Sequence, residues 1–277
     1  MELLHAWVHH CCPSNLVLLR VLLQHKSTLK RLELYSLPGL ECVSQLLRGT
    51  DSVLESLSLS QIDDDEITAL SEALENNSNT KLKEFNLQSD MITFEAWIAW
   101  STVLSFRTSM LEKMYLASYS YHSINDDVLI SFAEALVNNK VLRELELGND
   151  FSGITSIGYA AFTRLLCNSS SIMSTYQSNH TLKKICDRYS LNNNVPEDLR
   201  FLLQLNEKNT VSQAARLKII KTHFSGSEIN MQSFMNMDVC VRPHAIAWMV
   251  RDKNAFHLLR ALPMLLENNV LSQVNLK

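Results

Sequence analysis

The sequence predicts an α/β solenoid: a curved parallel sheet inside, helices outside, and a helical cap at the C-terminal end. Three observations point there. The pattern Leu-x-x-Leu-x-Leu recurs along the chain with conservative apolar replacements. Between its copies the apolar period changes from about two residues to about 3.6, which is strand giving way to helix. Neither the apolar strand face nor the apolar helix stripe can be buried within one such unit, so units must stack side by side to form a core.

The strand motif reads LKRLEL (29–34), LESLSL (54–59), LKEFNL (82–87), LEKMYL (111–116) and LRELEL (142–147). Start to start, the copies are 25, 28, 29 and 31 residues apart. In DDDEITALSEALENN (63–77), Ile67, Leu70, Ala73 and Leu74 fall on one helical face, with acids in the first turn where the helix dipole favours them. NDDVLISFAEALVNN (125–139) repeats the design, with Asn125 as cap and Leu129, Phe132, Ala133 and Leu136 as the stripe. FEAWIAWSTVLSF (94–106) and ITSIGYAAFTRLLCN (154–168) supply two further helices. A sixth, degenerate unit begins 40 residues later with LKKICDRYSL (182–191), where Asp187 replaces the last Leu, and continues with VPEDLRFLLQLNE (195–207) as its helix.

The ends read differently. NLVLLRVLLQHKSTL looks like the helical half of an earlier unit, so residues 1–26 are an N-terminal helical cap or partial repeat, followed by repeats over 27–207. From 208 to 277 the strand pattern stops. VSQAARLKIIKTHF, RPHAIAWMVRD and AFHLLRALPMLLENN read as helices, the second with Pro243 at a first helical position and the third broken near Pro263. Together they form a C-terminal helical cap, which a solenoid needs to cover its last unit.

The strand motifs LRELEL and LESLSL, the helix motifs ALSEALENN and FAEALVNN and a period near 28 residues resemble the ribonuclease-inhibitor-like type of leucine-rich repeat over roughly residues 16–207. The resemblance implies alternating strand and α-helix and a role as a binding scaffold. One departure stands out. The family often places Asn or Cys three residues after the last strand Leu, where this chain has Leu37, Ile62, Asp90, Tyr119 and Asp150. A regular side-chain ladder is therefore not expected at that turn.

Composition narrows the functional class. With 46% hydrophobic residues and only six Gly and five Pro, the chain can fill a core and is neither collagen-like nor of low complexity. Residues 1–179 carry 12 basic and 21 acidic side chains and the remainder 13 and 8, so the two regions differ in character. No apolar run approaches the ~18 residues of a membrane helix, and Glu2 and His5 stand where a signal peptide would be basic and then apolar. The expectation is an intracellular, cytoplasmic chain, with the nucleus left open. Six cysteines without a CxxC pair suit reduced, mostly buried thiols.

No phosphate-binding, nucleophile-elbow or HExxH motif is present, so no catalytic residue and no cofactor are expected. His9, His10, Cys11 and Cys12 are adjacent, which would crowd a tetrahedral ion. Asp63, Asp64, Asp65 and Glu66 read as helix-start acids rather than a cation site, and His223, His244 and His257 lack ligand spacing. No metal is expected. Arg216, Lys218 and Lys221 form a basic cap face too sparse to imply nucleic acid. Met231, Phe234, Met235 and Met237 read as helix-packing core.

What remains is the face opposite the helices. Alternation along the strands exposes three rows: Arg31, Ser56, Glu84, Lys113, Glu144; then Glu33, Ser58, Asn86, Tyr115, Glu146; then Tyr35, Ser60, Gln88, Ala117, Gly148. Arg143 falls at the turn leading into its strand. The expected activity is non-enzymatic protein binding on this concave face by a monomer, with no nucleic acid and no membrane. Tyr35 and Tyr115 are the anchor candidates, and Glu144 and Glu146 suit a basic protein partner. The alternative is a regulator of an enzyme, such as a GTPase-activating leucine-rich-repeat protein, for which Asn149 and Asp150 are the suggestive loop residues.

Overall fold

The computed structural model describes residues 4–5, 24, 27–35, 41–49, 52–62, 64–75, 77, 81–89, 92–105, 110–118, 124–147, 153–186 and 195–223. The first strand, β1 (Leu4–His5), is followed by β2 (Arg31–Tyr35), α1 (Glu41–Arg48), β3 (Ser56–Ser60) and α2 (Asp64–Glu75). Then come β4 (Glu84–Ser89), α3 (Phe94–Ser105), β5 (Lys113–Ser118), α4 (Asp126–Ala135) and β6 (Glu144–Leu147). The last elements are α5 (Ser156–Leu166), α6 (Ile172–Gln177), β7 (Lys184–Cys186), α7 (Glu197–Lys208) and α8 (Val211–His223).

The seven strands among the described residues are parallel and lie in chain order. The register is set by the leucine motif: Leu32, Leu57, Phe85, Met114, Leu145 and Ile185 align, as do Leu34, Leu59, Leu87, Leu116 and Leu147. Every one of these side chains is buried, and they join the helix stripes in one core cluster. Ile67, Leu70, Ala73 and Leu74 of α2, and Leu129, Phe132, Ala133 and Leu136 at α4, are buried as the helical period predicts. At ~1.5–3 kcal/mol for each large apolar side chain removed from water, this shared core is what orders each unit.

Rings lock the layers together. Within one unit, Phe85 of β4 stacks on Trp100 of α3 at 4.2 Å between centroids, and between neighbouring units Trp97 of α3 meets the edge of Phe132 in α4 at 6.3 Å. Helices pack in sequence from α1 to α5, and α5 then packs on α7. The longer spacing before β7 is taken up by α6, an added helix that packs instead on α8. At the other edge β1 pairs with β2, so strand pairing begins within the span read as a cap or partial repeat.

A ladder of asparagines closes the turns that lead from helix into strand. Asn139 Nδ2 donates to Leu104 O at 2.9 Å, while its Oδ1 accepts from Val141 N and Leu142 N at 2.9 Å each. Asn179 repeats this one unit later, donating to Leu136 O and Asn139 O and accepting from Thr181 N and Leu182 N. Asn77 donates to Leu47 O, and Asn206 to Leu182 O and Asn179 O. Asn139 and Asn179 thus satisfy carbonyls left over near the preceding unit's helix end while fixing the start of their own strand, whereas Asn77 serves as a donor to the preceding unit and Asn206 to the turn before β7. The ladder stands at the helix-to-strand turn, opposite the strand-to-helix turn where Leu37, Ile62, Asp90, Tyr119 and Asp150 replace the family's Asn or Cys.

The acids at the helix starts do more than complement a dipole. Asp64 Oδ1 accepts from Thr93 N at 3.1 Å, and Asp126 Oδ1 accepts from Thr155 N at 2.8 Å and Gly158 N at 3.0 Å. The Thr155 hydroxyl donates to Asp126 Oδ2 and holds that carboxyl below its usual range. Each carboxylate therefore ties its helix to the start of the next one. Asn125 caps α4 as expected, accepting from Val128 N at 3.0 Å.

Candidate functional site

Sheet register turns the rows read from sequence into spatial neighbours. Arg31, Ser56, Glu84, Lys113, Glu144 and Lys184 align across six strands. Glu33, Ser58, Asn86, Tyr115, Glu146 and Cys186 form the second row, and Tyr35, Ser60, Gln88 and Ala117 the third. All but one of those with described side chains are exposed or half-buried. Ala117 departs from the expectation: it is fully buried, its methyl too short to stand out among longer neighbours. Tyr35 and Tyr115 are not brought together, since β3 and β4 lie between their strands, roughly 14 Å of sheet at ~4.8 Å per strand.

The charges on this face alternate. Arg31 lies 3.7 Å from Glu84, Lys113 3.5 Å from Glu84 and 3.9 Å from Glu144, and Lys184 pairs with Glu146. The two glutamates that suggested a basic partner are therefore each within reach of a lysine on a neighbouring strand. Asn86 Oδ1, at the centre of the face, is enclosed and receives no hydrogen bond among the described residues.

A second ladder runs along the rim where each strand begins. Glu55 N donates to Lys30 O, Lys83 N to Glu55 O, Glu112 N to Lys83 O, and Arg143 N to Glu112 O, each at 2.8 Å; Lys183 N donates to Arg143 O at 2.7 Å. The side chains in that order are Lys30, Glu55, Lys83, Glu112, Arg143 and Lys183. Lys83 Nζ donates to Glu55 at 3.0 Å, and Arg143 lies 3.7 Å from Glu112. The Lys83 hydrogen bond lowers the Glu55 carboxyl from its ordinary range, and Glu55 correspondingly raises Lys83. Opposite charges on neighbouring strands favour this register, and like charges would oppose it.

The basic cap face needs correction. Lys218 is fully buried in α8, on the same stripe as Ala214, Ala215 and Ile219. Its Nζ donates to Leu166 O at 2.8 Å, Asn179 O at 3.3 Å and His180 Nδ1 at 3.3 Å. Burial draws it down to about 7, but three acceptors converge on it and hold the ammonium. His180 is held neutral: Nε2 donates to Tyr176 O at 3.1 Å, leaving Nδ1 to accept, and burial, with Lys218 adding to it, pulls the ring down to about 4. His223 Nε2 sits 2.8 Å from Thr175 Oγ1, also buried and lowered chiefly by that burial. Lys221 lies instead over the Phe201 ring, 3.4 Å from its centroid. A cation can be buried here because it donates to carbonyls at the end of α5 and in the turn before β7.

On the helix side, a groove of ≈ 840 Å³ lies between α4, α5 and α6, with Val137 and Ile157 on its walls and Glu134 and Arg164 among its polar lining. No described helix is long and apolar enough to cross a membrane, and no cluster of three metal-ligating side chains occurs among the described residues. Cys167 is a free thiol. His9, His10, Cys11, Cys12, Asp63, Gly148, Asn149, Asp150 and the stretch 224–277 lie outside the described residues, and with them the motifs read there. No protein-family model matches the chain, and no curated protein matches it in sequence.

Proposed function

We propose that the chain is a leucine-rich-repeat solenoid of the ribonuclease-inhibitor-like type that acts as a non-enzymatic scaffold. In this reading it binds a protein partner on the concave face opposite its helices. The observation that carries the reading is the registered polar face: six strands present Arg31, Glu84, Lys113, Glu144 and Lys184 in one row and Glu33, Asn86, Tyr115 and Glu146 in the next, while the opposite face is given over to core. A wide surface already ordered by its own packing costs little further entropy when it binds. Tyr35, Gln88 and Tyr115 supply its amphipathic contacts, and tyrosine is enriched among residues that dominate interface energy.

The supporting chemistry is consistent with a scaffold rather than a catalyst. Lys218, His180 and His223, each lowered by burial, are enclosed and committed to hydrogen bonds inside the protein. In this reading α8 is the first element of the C-terminal cap, and Lys218 closes off carbonyls at the end of α5 and before β7. The test is partner capture with the full chain and a Tyr115→Ala, Glu146→Lys variant. Loss of specific partners from the variant, with its thermal unfolding unchanged, is the expected result; an identical partner set would overturn the concave-face assignment.

A further inference from the structure

The two charge ladders end differently from the way they run. Along the rim, Lys30, Glu55, Lys83, Glu112 and Arg143 alternate in sign, but the next residue is Lys183, a second cation directly beside Arg143 through the Lys183 N to Arg143 O hydrogen bond of 2.7 Å. Alternation would put a carboxylate there. No described carboxylate lies within ion-pair reach of Lys183. On the open face the first row likewise ends on a cation, Lys184, which takes Glu146 from the second row as its partner. The β6–β7 end of the rim is therefore left with one cation, Lys183, that has no described counter-ion, while Arg143 has Glu112 and Lys184 has Glu146. Arg143 and Lys184 remain 56% and 49% exposed at the side chain, so an outside group can reach them.

We infer that this end of the face and its rim receives an acidic segment of a partner protein, whose carboxylates sit beside Lys183 and Arg143 where the alternation lacks one. The inference rests on the binding-scaffold reading and names the chemistry of the partner. The same rule that orders the ladders selects it: like charges on adjacent strands repel, and an incoming carboxylate relieves that repulsion by supplying Lys183 with the counter-ion that Arg143 already has in Glu112.

The test uses the full chain, a fluorescently labelled glutamate-rich dodecapeptide and a lysine-rich counterpart, with anisotropy read at about 50 mM and about 300 mM salt. The acidic peptide is expected to bind, to weaken with salt, and to lose about tenfold or more in affinity to Lys183→Glu. Lys81→Glu, the same charge change in the segment before β4, should leave it within twofold. Lys183→Glu completes the rim's alternation, so its thermal unfolding should be unchanged or slightly higher, and loss of binding cannot be ascribed to misfolding. Acidic-peptide binding that ignores Lys183→Glu, or preferential binding of the lysine-rich peptide, overturns the inference. Partner capture that depends on Tyr115 and Glu146 but not on Lys183 would sink this inference alone and leave the scaffold standing.

Discussion

Acidification should loosen the C-terminal end of the array, and His180 is the residue that makes it do so. Its ring is 5% exposed, donates through Nε2 to Tyr176 O and accepts through Nδ1 from Lys218. Burial already disfavours the charged ring, and a second proton would have to enter at Nδ1, against the ammonium of Lys218, with Lys140 adding its own repulsion. The folded ring therefore titrates at about 4, against 6.5 in the unfolded chain. Between those values the unfolded state binds more protons, so this contribution to stability is complete above pH 6.5 and is lost as pH falls toward 4. At ~1.36 kcal/mol per unit the full window is worth about 3 kcal/mol, and the stretch from pH 6.5 to 5 about 2 kcal/mol. His223, lowered in the same direction, adds to the loss. Urea unfolding across this range, with amide protection of α8 as the local readout, measures it. In His180→Gln an amide oxygen can accept from Lys218 and its nitrogen can donate to Tyr176 O, so the variant should flatten the pH dependence by about 2 kcal/mol over the same stretch. A variant that loses as much stability as the parent between pH 6.5 and 5 would refute the reasoning.

Other consequences are as direct. Asn179→Ala strips donors from Leu136 O and Asn139 O and an acceptor from Thr181 N and Leu182 N, all at one buried turn; it should cost about 3 kcal/mol or more in urea unfolding. Gly158→Ala would ordinarily favour a helix by about 1 kcal/mol. Here an added Cβ falls 2.5 Å from Asp126 Oδ1, so the variant should instead lose about 1–2 kcal/mol, and a rise in melting temperature would show the Asp126 bridge to be dispensable. Glu84→Lys places a third cation between Arg31 and Lys113, whose side chains are about half exposed; a loss of about 1 kcal/mol that shrinks in high salt is expected by chemical denaturation.

The strands and helices were legible because burial obeys a period. Leu32 and Leu34, or Leu145 and Leu147, alternate with polar residues, and the helix stripe follows at 3.6, so both faces of the core could be read without coordinates. The open-face rows were legible for the same reason. What the rows could not reveal was pairing between strands: that Glu144 belongs to Lys113 and Glu146 to Lys184 depends on register across units of unequal length. The asparagine ladder had a signal that went unread, an Asn three residues before the first strand Leu in NKVL and NHTL. Lys218 was misplaced by treating charge as a mark of exposure. At 100° per residue it stands about 200° from Arg216 and on the stripe of Ala214 and Ile219, so periodicity alone argued for burial.

The charge ladders bind the question of stability to the question of recognition. Most of these pairs are about half exposed and screened by water, too weak to hold the sheet together, which the leucine rows do. Their effect is on order: opposite signs on neighbouring strands fix where long, flexible side chains rest, and a side chain already at rest loses less freedom when a partner arrives. Pairing also removes driving force, because a lysine matched by its neighbour gains little from an outside carboxylate. Strong recognition by charge must therefore concentrate where the alternation is incomplete. On this surface that condition is met at β7, where the rim sets Lys183 beside Arg143, and the remaining rows act as a pre-ordered, nearly neutral field that the tyrosines punctuate.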